Sequence, residues 1–203
     1  MIAQDQLYPR PDILVTLLGN HDVLRFMSEP GATVAGLKLA QTLIMTTRGA
    51  PQLYYGDEIA LPGGGDPDNR RDFPGGFAND ARNAFERSGR TAEQQQVFEH
   101  VKRLTRTRME LEPLRRGRLV NLYYSEQQYA FARTTDREGV VVAINNDTKP
   151  ATIEFGVAPT NFPDSLRLFD LIGDVDALVH KGGLRITLPA RSACILSPSA
   201  VRD

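Results

Sequence analysis

The sequence predicts a parallel α/β unit followed by an antiparallel β-sandwich, and three observations carry that reading. Ile13–Leu18 is a compact apolar, β-branched run of the kind found in strands buried on both faces. A helical pattern over Thr33–Thr46 separates it from a second strand-like run, Gln52–Tyr55. From about residue 115 onward, short β-rich runs follow one another with turn residues between them.

The elements follow in order. Val34, Leu37, Leu39, Ala40, Leu43 and Ile44 give the first helix a broad apolar face, and Gly49-Ala50-Pro51 stops it. Strand, helix and strand in this order imply parallel strands joined by a right-handed crossover. A Gly- and Pro-rich loop, Leu61–Gly76, comes next. Thr91 with Gln94 three residues on opens a second helix as a capping box. Val97, Val101, Leu104 and Leu111 line its inner face, and Pro113 and Gly117 end it. The later runs are Leu119–Tyr123, Gln128–Ala132, Val140–Asn145, Thr152–Phe155, Leu166–Phe169, Leu184–Leu188 and Ala193–Leu196. Their spacing suits a sandwich. The chain divides on this basis into residues 1–116 and 117–203.

Composition narrows the function classes. With 203 residues, 41% hydrophobic and 24% charged, the chain is long enough to bury a core. A formal charge of −1 offers no long-range attraction to nucleic acid or an anionic membrane. No apolar run is long enough to span a bilayer, and Met1–Arg10 has no signal-peptide pattern. Cys194 is the only cysteine, which excludes an internal disulfide. It sits in the apolar run Ala193–Leu196, reads as buried filler, and favours a cytoplasmic, reducing compartment.

Chemistry concentrates at two strand ends. Asn20-His21-Asp22 directly follows the first strand, and Tyr54-Tyr55-Gly56-Asp57-Glu58 ends the second. In parallel α/β folds, loops at the C-terminal edge of the strands line the mouth of the sheet. A carboxylate there accepts hydrogen bonds from vicinal hydroxyls, and a histidine beside it donates them. Asn-His-Asp alone is equally a turn. Polar residues ending two successive parallel strands are the arrangement of a barrel active site. Asp57 and Glu58, read as adjacent on an extended segment, point to opposite faces and belong to the scaffold of the rim.

Leu-Leu-Gly-Asn-His-Asp, then Arg25-Phe26, then Gly-x-Pro-x-x-Tyr-Tyr-Gly-Asp-Glu resembles the seventh and eighth strands of the α-amylase family barrel. Asp66-Pro67-Asp68-Asn69-Arg70-Arg71 is similar to the neopullulanase and cyclomaltodextrinase-like branch. The resemblance implies the last two strand–helix units of a TIM (β/α)8 barrel followed by a C-terminal antiparallel β-sandwich. It further implies a retaining glycosidase acting on α-1,4 or α-1,6 bonds of an α-glucan oligosaccharide. That chemistry needs a nucleophilic aspartate and an acid/base glutamate, which in the family lie on the fourth and fifth strands. Neither has a counterpart in this chain, so alone it is expected to be inactive. Asp22 corresponds to the third carboxylate, which stabilises the transition state. His21 would hydrogen-bond the same sugar. Asp66 and Arg70 match a pair contacting a neighbouring glucose, or form an ion pair that stiffens the loop. Arg25 is expected to hold a barrel carboxylate.

No cofactor is expected and no metal site is assigned. Asp66, Asp68 and Asn69 resemble calcium ligands without the spacing of a calcium loop. Phe73 and Phe77 either face a sugar or fill the loop. Members of this branch often form dimers, which makes a homodimer a candidate assembly. Two other classes stay open: a carbohydrate-binding accessory module using Tyr123, Tyr124 and Tyr129, and a catalytically dead relative with a structural role.

Overall fold

The computed structural model describes residues 7–200. Most of the Met1–Arg10 stretch and the last residues of the second predicted range lie outside the described residues. Two strands, β1 (Val15–Leu17) and β2 (Ala50–Gln52), run parallel with Leu17 opposite Gln52, and α1 (Val34–Thr46) connects them. Thr33 caps α1 by accepting from the Gly36 N–H at 3.0 Å. α2 (Ala92–Glu110) begins in the predicted capping box, with Thr91 Oγ1 accepting from Gln94 N at 3.2 Å and Gln94 Oε1 from Thr91 N at 3.0 Å.

Three expectations need correction in this half. The second strand starts two residues earlier than its apolar run suggests. Gly49, at φ +92°, brings the backbone against β1 so closely that a Cβ would lie 2.2 Å from the Leu14 carbonyl oxygen. Pairing therefore begins at Ala50, whose N–H donates to that carbonyl at 2.9 Å, and Pro51 is a strand residue rather than a breaker. Proline is admissible there because a two-stranded sheet leaves each strand an outer edge. The first strand is also shorter than predicted and not buried on both faces: Val15 is 55% and Leu17 40% exposed. Among the described residues β2 is the sole strand neighbour of β1, and nothing covers the remaining face. Finally, Pro113 does not end the helical region but occupies the first turn of a short helix, α3 (Glu112–Arg116), where its missing N–H is not needed.

The second half forms β3 (Arg118–Tyr124), β4 (Gln128–Thr134), β5 (Gly139–Asn145), β6 (Ala151–Gly156), β7 (Arg167–Asp170), β8 (Ala177–Leu178), β9 (Gly183–Leu188) and β10 (Ser192–Ser197). The order β3-β4-β5-β10-β7-β8 makes a six-stranded antiparallel sheet, and β6 pairs with β9 in a second sheet. β8, two residues long, carries too little pattern to be read from sequence. One face of the large sheet, including Ala130, Val141, Ala143 and Cys194, packs on Ile153, Phe155, Leu184, Ile186 and Leu188 of the small one.

The opposite face of that sheet is apolar too. Phe131, Val140, Val142, Ile144 and Ile195 share a core with Leu39, Ile44 and Met45 of α1, Leu104 of α2 and Leu114 of α3. This is why Val140–Ile144 is continuously apolar and every residue of β5 is buried. Each such side chain contributes roughly 1.5–3 kcal/mol on burial, so the shared core ties the two halves together. The Cys194 thiol lies fully buried within the sandwich, where desolvation pushes its pKa up. No helix among the described residues is long and apolar enough to cross a membrane.

Candidate functional site

Because β1 and β2 are parallel, the loops that leave them open on the same side. After β1 the chain turns at Asn20, whose Oδ1 accepts from the Asp22 N–H at 2.8 Å. This turn leaves the side chains of His21 and Asp22 61% and 63% exposed, with His21 Nε2 3.3 Å from Asp22 Oδ1. After β2 the chain passes Tyr54 and Tyr55, takes a left-handed step at Gly56, and enters a 3-10 turn at Asp57–Ile59. The premise of an extended Asp57-Glu58 segment is thus wrong, although Asp57 is buried as a scaffold residue would be.

Arg25 joins the two loops. Its guanidinium, 1% exposed, lies 3.6 Å from the Asp57 carboxylate. It donates to the Tyr55 carbonyl at 2.6 Å and to the Asn69 carbonyl at 2.9 Å. The rings of Tyr54 and Tyr55 stand 4.4 and 4.7 Å from it. A buried cation needs such compensation from a carboxylate, carbonyl dipoles and ring faces. Burial pushes the Asp57 carboxyl up to about 6 against the opposing pull of Arg25, with Glu58 adding to the rise. Gln41 of α1 reaches the same turn, its Nε2 donating to the Asp57 carbonyl at 2.9 Å.

The third loop closes over the first. Arg70 Nε lies 3.2 Å from Asp66 Oδ1 and donates to the His21 carbonyl at 3.1 Å. Asp66 and Arg70 therefore pair with each other while standing beside the His21–Asp22 turn. Asn69, 1% exposed, donates from Nδ2 to the carbonyls of His21 at 2.8 Å and Val23 at 3.0 Å. Asp68 is engaged by Arg71 and by the Gly64 N–H, which hold its carboxyl below the usual range. The calcium-like trio is thus spread over separate contacts, and among the described residues no three acidic, His or Cys side chains converge. Phe73 stacks on Phe85 at 4.5 Å inside the loop, whereas Phe77 is 66% exposed.

All four residues singled out from sequence, His21, Asp22, Asp66 and Arg70, stand on this one side of the strands. Sequence reasoning missed the supporting role of Asn69, since a buried asparagine in a polar loop has no pattern that separates it from its exposed neighbours. Gln41 was equally hidden, being one of three buried polar residues, with Thr42 and Thr46, on a helix whose sequence pattern is dominated by its apolar positions.

The polar rim at the ends of parallel strands, with an antiparallel sandwich behind it, defines the class: the end of an α/β barrel joined to an all-β domain. Comparison with known proteins specifies it. Residues 3–117 match the family description "Alpha amylase, catalytic domain", and residues 117–196 match "Alpha-amylase C-terminal domain". The chain belongs to the alpha-amylase family, whose members similar to it are glycoside hydrolases. It is 32% identical to neopullulanase 2 of Thermoactinomyces vulgaris over 94% of its own length and 30% of that protein's. It is 31% identical to a cyclomaltodextrinase of Thermoanaerobacter pseudethanolicus over 70% of its length and 22% of that protein's. Among solved structures it superposes on the alpha-amylase of Geobacillus thermoleovorans complexed with acarbose, with a TM-score of 0.79, 28% identity, and coverage of 96% of this chain and 40% of that one. A debranching enzyme from Nostoc punctiforme gives a TM-score of 0.78 at 34% identity, covering 96% and 38%. The chain thus spans less than a third of these two curated relatives' lengths.

Proposed function

We propose that this chain contributes one wall of the active site of a retaining α-glycosidase acting on α-1,4 or α-1,6 bonds in maltooligosaccharides, cyclodextrins or related α-glucans. The observation that supports this most is the Arg25 link, which ties the loop after β1 to the loop after β2 on the same side of the parallel strands, where Asp22 also stands. Asp22 acts as the carboxylate that grips hydroxyls of the sugar being cleaved and favours its oxocarbenium-like form. His21 donates to the same sugar, and Asp66 and Arg70 hold the adjoining unit. The nucleophile and the acid/base belong to strands that have no counterpart in this chain, so alone it turns over no glucan.

An accessory binding module is less favoured. Tyr123 packs on the core of the sandwich and Tyr129 on the core shared with the helices, leaving Tyr124, 82% exposed, as the one of the three that stands fully open to solvent.

The decisive experiment compares the isolated chain with a complete-barrel polypeptide that ends in it, using maltoheptaose and β-cyclodextrin. Turnover by the longer polypeptide, lost on Asp22→Asn without loss of fold, supports the assignment. Unchanged turnover in that variant removes Asp22 from the site.

A further inference from the structure

We propose that Asn69 is the positioning residue for Asp22: its amide grips the backbone on both sides of that carboxylate and sets where it stands in the mouth. The inference rests on the reading of Asp22 as a catalytic carboxylate.

With its side chain 63% exposed, Asp22 has little packing to hold it, and its carboxylate stands wherever the backbone of residues 21–23 puts it. That backbone is clamped from one side. The two N–H groups of Asn69 Nδ2 reach the His21 carbonyl at 2.8 Å and the Val23 carbonyl at 3.0 Å, one residue before and one after Asp22. Two carbonyl acceptors settle which end of the amide faces them, since oxygen at that position would oppose oxygen. Oδ1 of Asn69 is buried with no partner among the described residues, so the contribution comes from the donor half. Arg70 Nε fills the second lone pair of the His21 carbonyl at 3.1 Å, but it is half exposed and shared with Asp66.

Asn69 is itself held rigidly. Arg25 Nε donates to its carbonyl at 2.9 Å, and Arg25 Nη1 donates to the Tyr55 carbonyl at 2.6 Å. Gly63 lets these groups approach, because a Cβ there would sit 2.8 Å from Asn69 Cα and 2.9 Å from Arg25 Cδ. Three successive contacts therefore run from the end of β2 to the backbone around Asp22 at the end of β1. A site held to within a fraction of an ångström by a second layer of buried hydrogen bonds is what transition-state stabilisation demands. An exposed loop carboxylate gains that precision here from a residue that never meets the sugar.

The test uses a complete-barrel polypeptide ending in this chain, with Asn69→Asp, Asn69→Leu and Asp22→Asn variants assayed on maltoheptaose across pH, each with a thermal melt. Asn69→Asp is isosteric but sets an acceptor against two carbonyls. We expect kcat to fall about a hundredfold in both Asn69 variants while KM stays within about threefold. The Asn69→Asp rate relative to wild type should rise as pH falls, because the protonated carboxyl donates to one carbonyl again; the Asn69→Leu ratio should stay flat. Near-normal kcat in both variants beside an inactive Asp22→Asn overturns the positioning role alone. Active Asp22→Asn overturns the catalytic reading beneath it. If both Asn69 variants fail to fold, Asn69 serves stability rather than position, and the inference also fails.

Discussion

The guanidinium of Arg133, on β4 of the sandwich, donates to the backbone carbonyl of Thr47 at the C-terminal end of α1 over 2.6 Å. The same Nη1 reaches the Thr46 carbonyl at 2.7 Å, and Nη2 reaches the Gly117 carbonyl at 2.9 Å. Arg108 of α2 adds donors to Met45 at 2.7 Å and Gly49 at 2.6 Å. Two arginines from different elements thus satisfy carbonyls that the end of a helix leaves without partners, at the negative end of its dipole. This is where the barrel unit is held against the sandwich.

Arg133→Met should therefore destabilise the chain by at least about 3 kcal/mol, since buried carbonyls lose their donors at roughly 1–3 kcal/mol each. Arg133→Lys, with one compact head in place of a planar fork, should recover only part of that. Urea unfolding of both variants measures it, and a wild-type midpoint for Arg133→Met would contradict it.

Asp57 and His100 should give opposing pH dependences. The Asp57 carboxyl rises from 3.8 to about 6 in the folded chain, chiefly through burial. Between those values the folded state holds a proton that the unfolded state has released, so stability falls as pH rises through the window. His100 bonds the Lys38 carbonyl and Thr42 Oγ1, both at 3.0 Å, and burial, with Lys38 and Arg103 nearby, lowers it from 6.5 to about 4. Its contribution is complete above 6.5 and is lost as pH falls toward 4. Asp57→Asn should leave melting temperature rising with pH across this range, and His100→Gln should leave it falling. Identical profiles for both variants and wild type would refute the assignment.

Gly49→Ala should cost at least about 2 kcal/mol, because alanine is strained at positive φ and its Cβ would collide with the Leu14 carbonyl. Chemical denaturation tests this. Gly31, also at positive φ (+77°) but with open space where a Cβ would stand, provides the control: Gly31→Ala should cost less.

Arg70→Ala, in a complete-barrel polypeptide, should raise KM about tenfold with kcat changed less, the pattern of a lost ground-state contact. A fall in kcat at unchanged KM would instead place Arg70 with Asn69 as a support of the Asp22 turn.

The isolated chain should associate. Ile13, Val15, Leu17, Val23 and Leu24 are each more than a third exposed, and β1 pairs with a single strand. Sedimentation velocity over a concentration series should show reversible growth that Val15→Lys reduces. A monomer at all concentrations would contradict this.

The sequence by itself determined the parallel unit, the capping box at Thr91 and most of the sandwich strands, and it singled out His21, Asp22, Asp66 and Arg70 as candidates, because periodicity, turn chemistry and short motifs are local properties of the chain. It misplaced β2, since Gly49 and Pro51 act there through an approach to Leu14 that lies far away in sequence. Only the tertiary structure decided that the sheet is apolar on both faces because helices cover one of them, that Arg133 spans the two halves, and that Asn69 grips the backbone around Asp22. Each of these depends on which atoms meet across tens of residues. A buried polar side chain declares its purpose only when its partners are in place, since the desolvation that makes the contact matter comes from the fold around it.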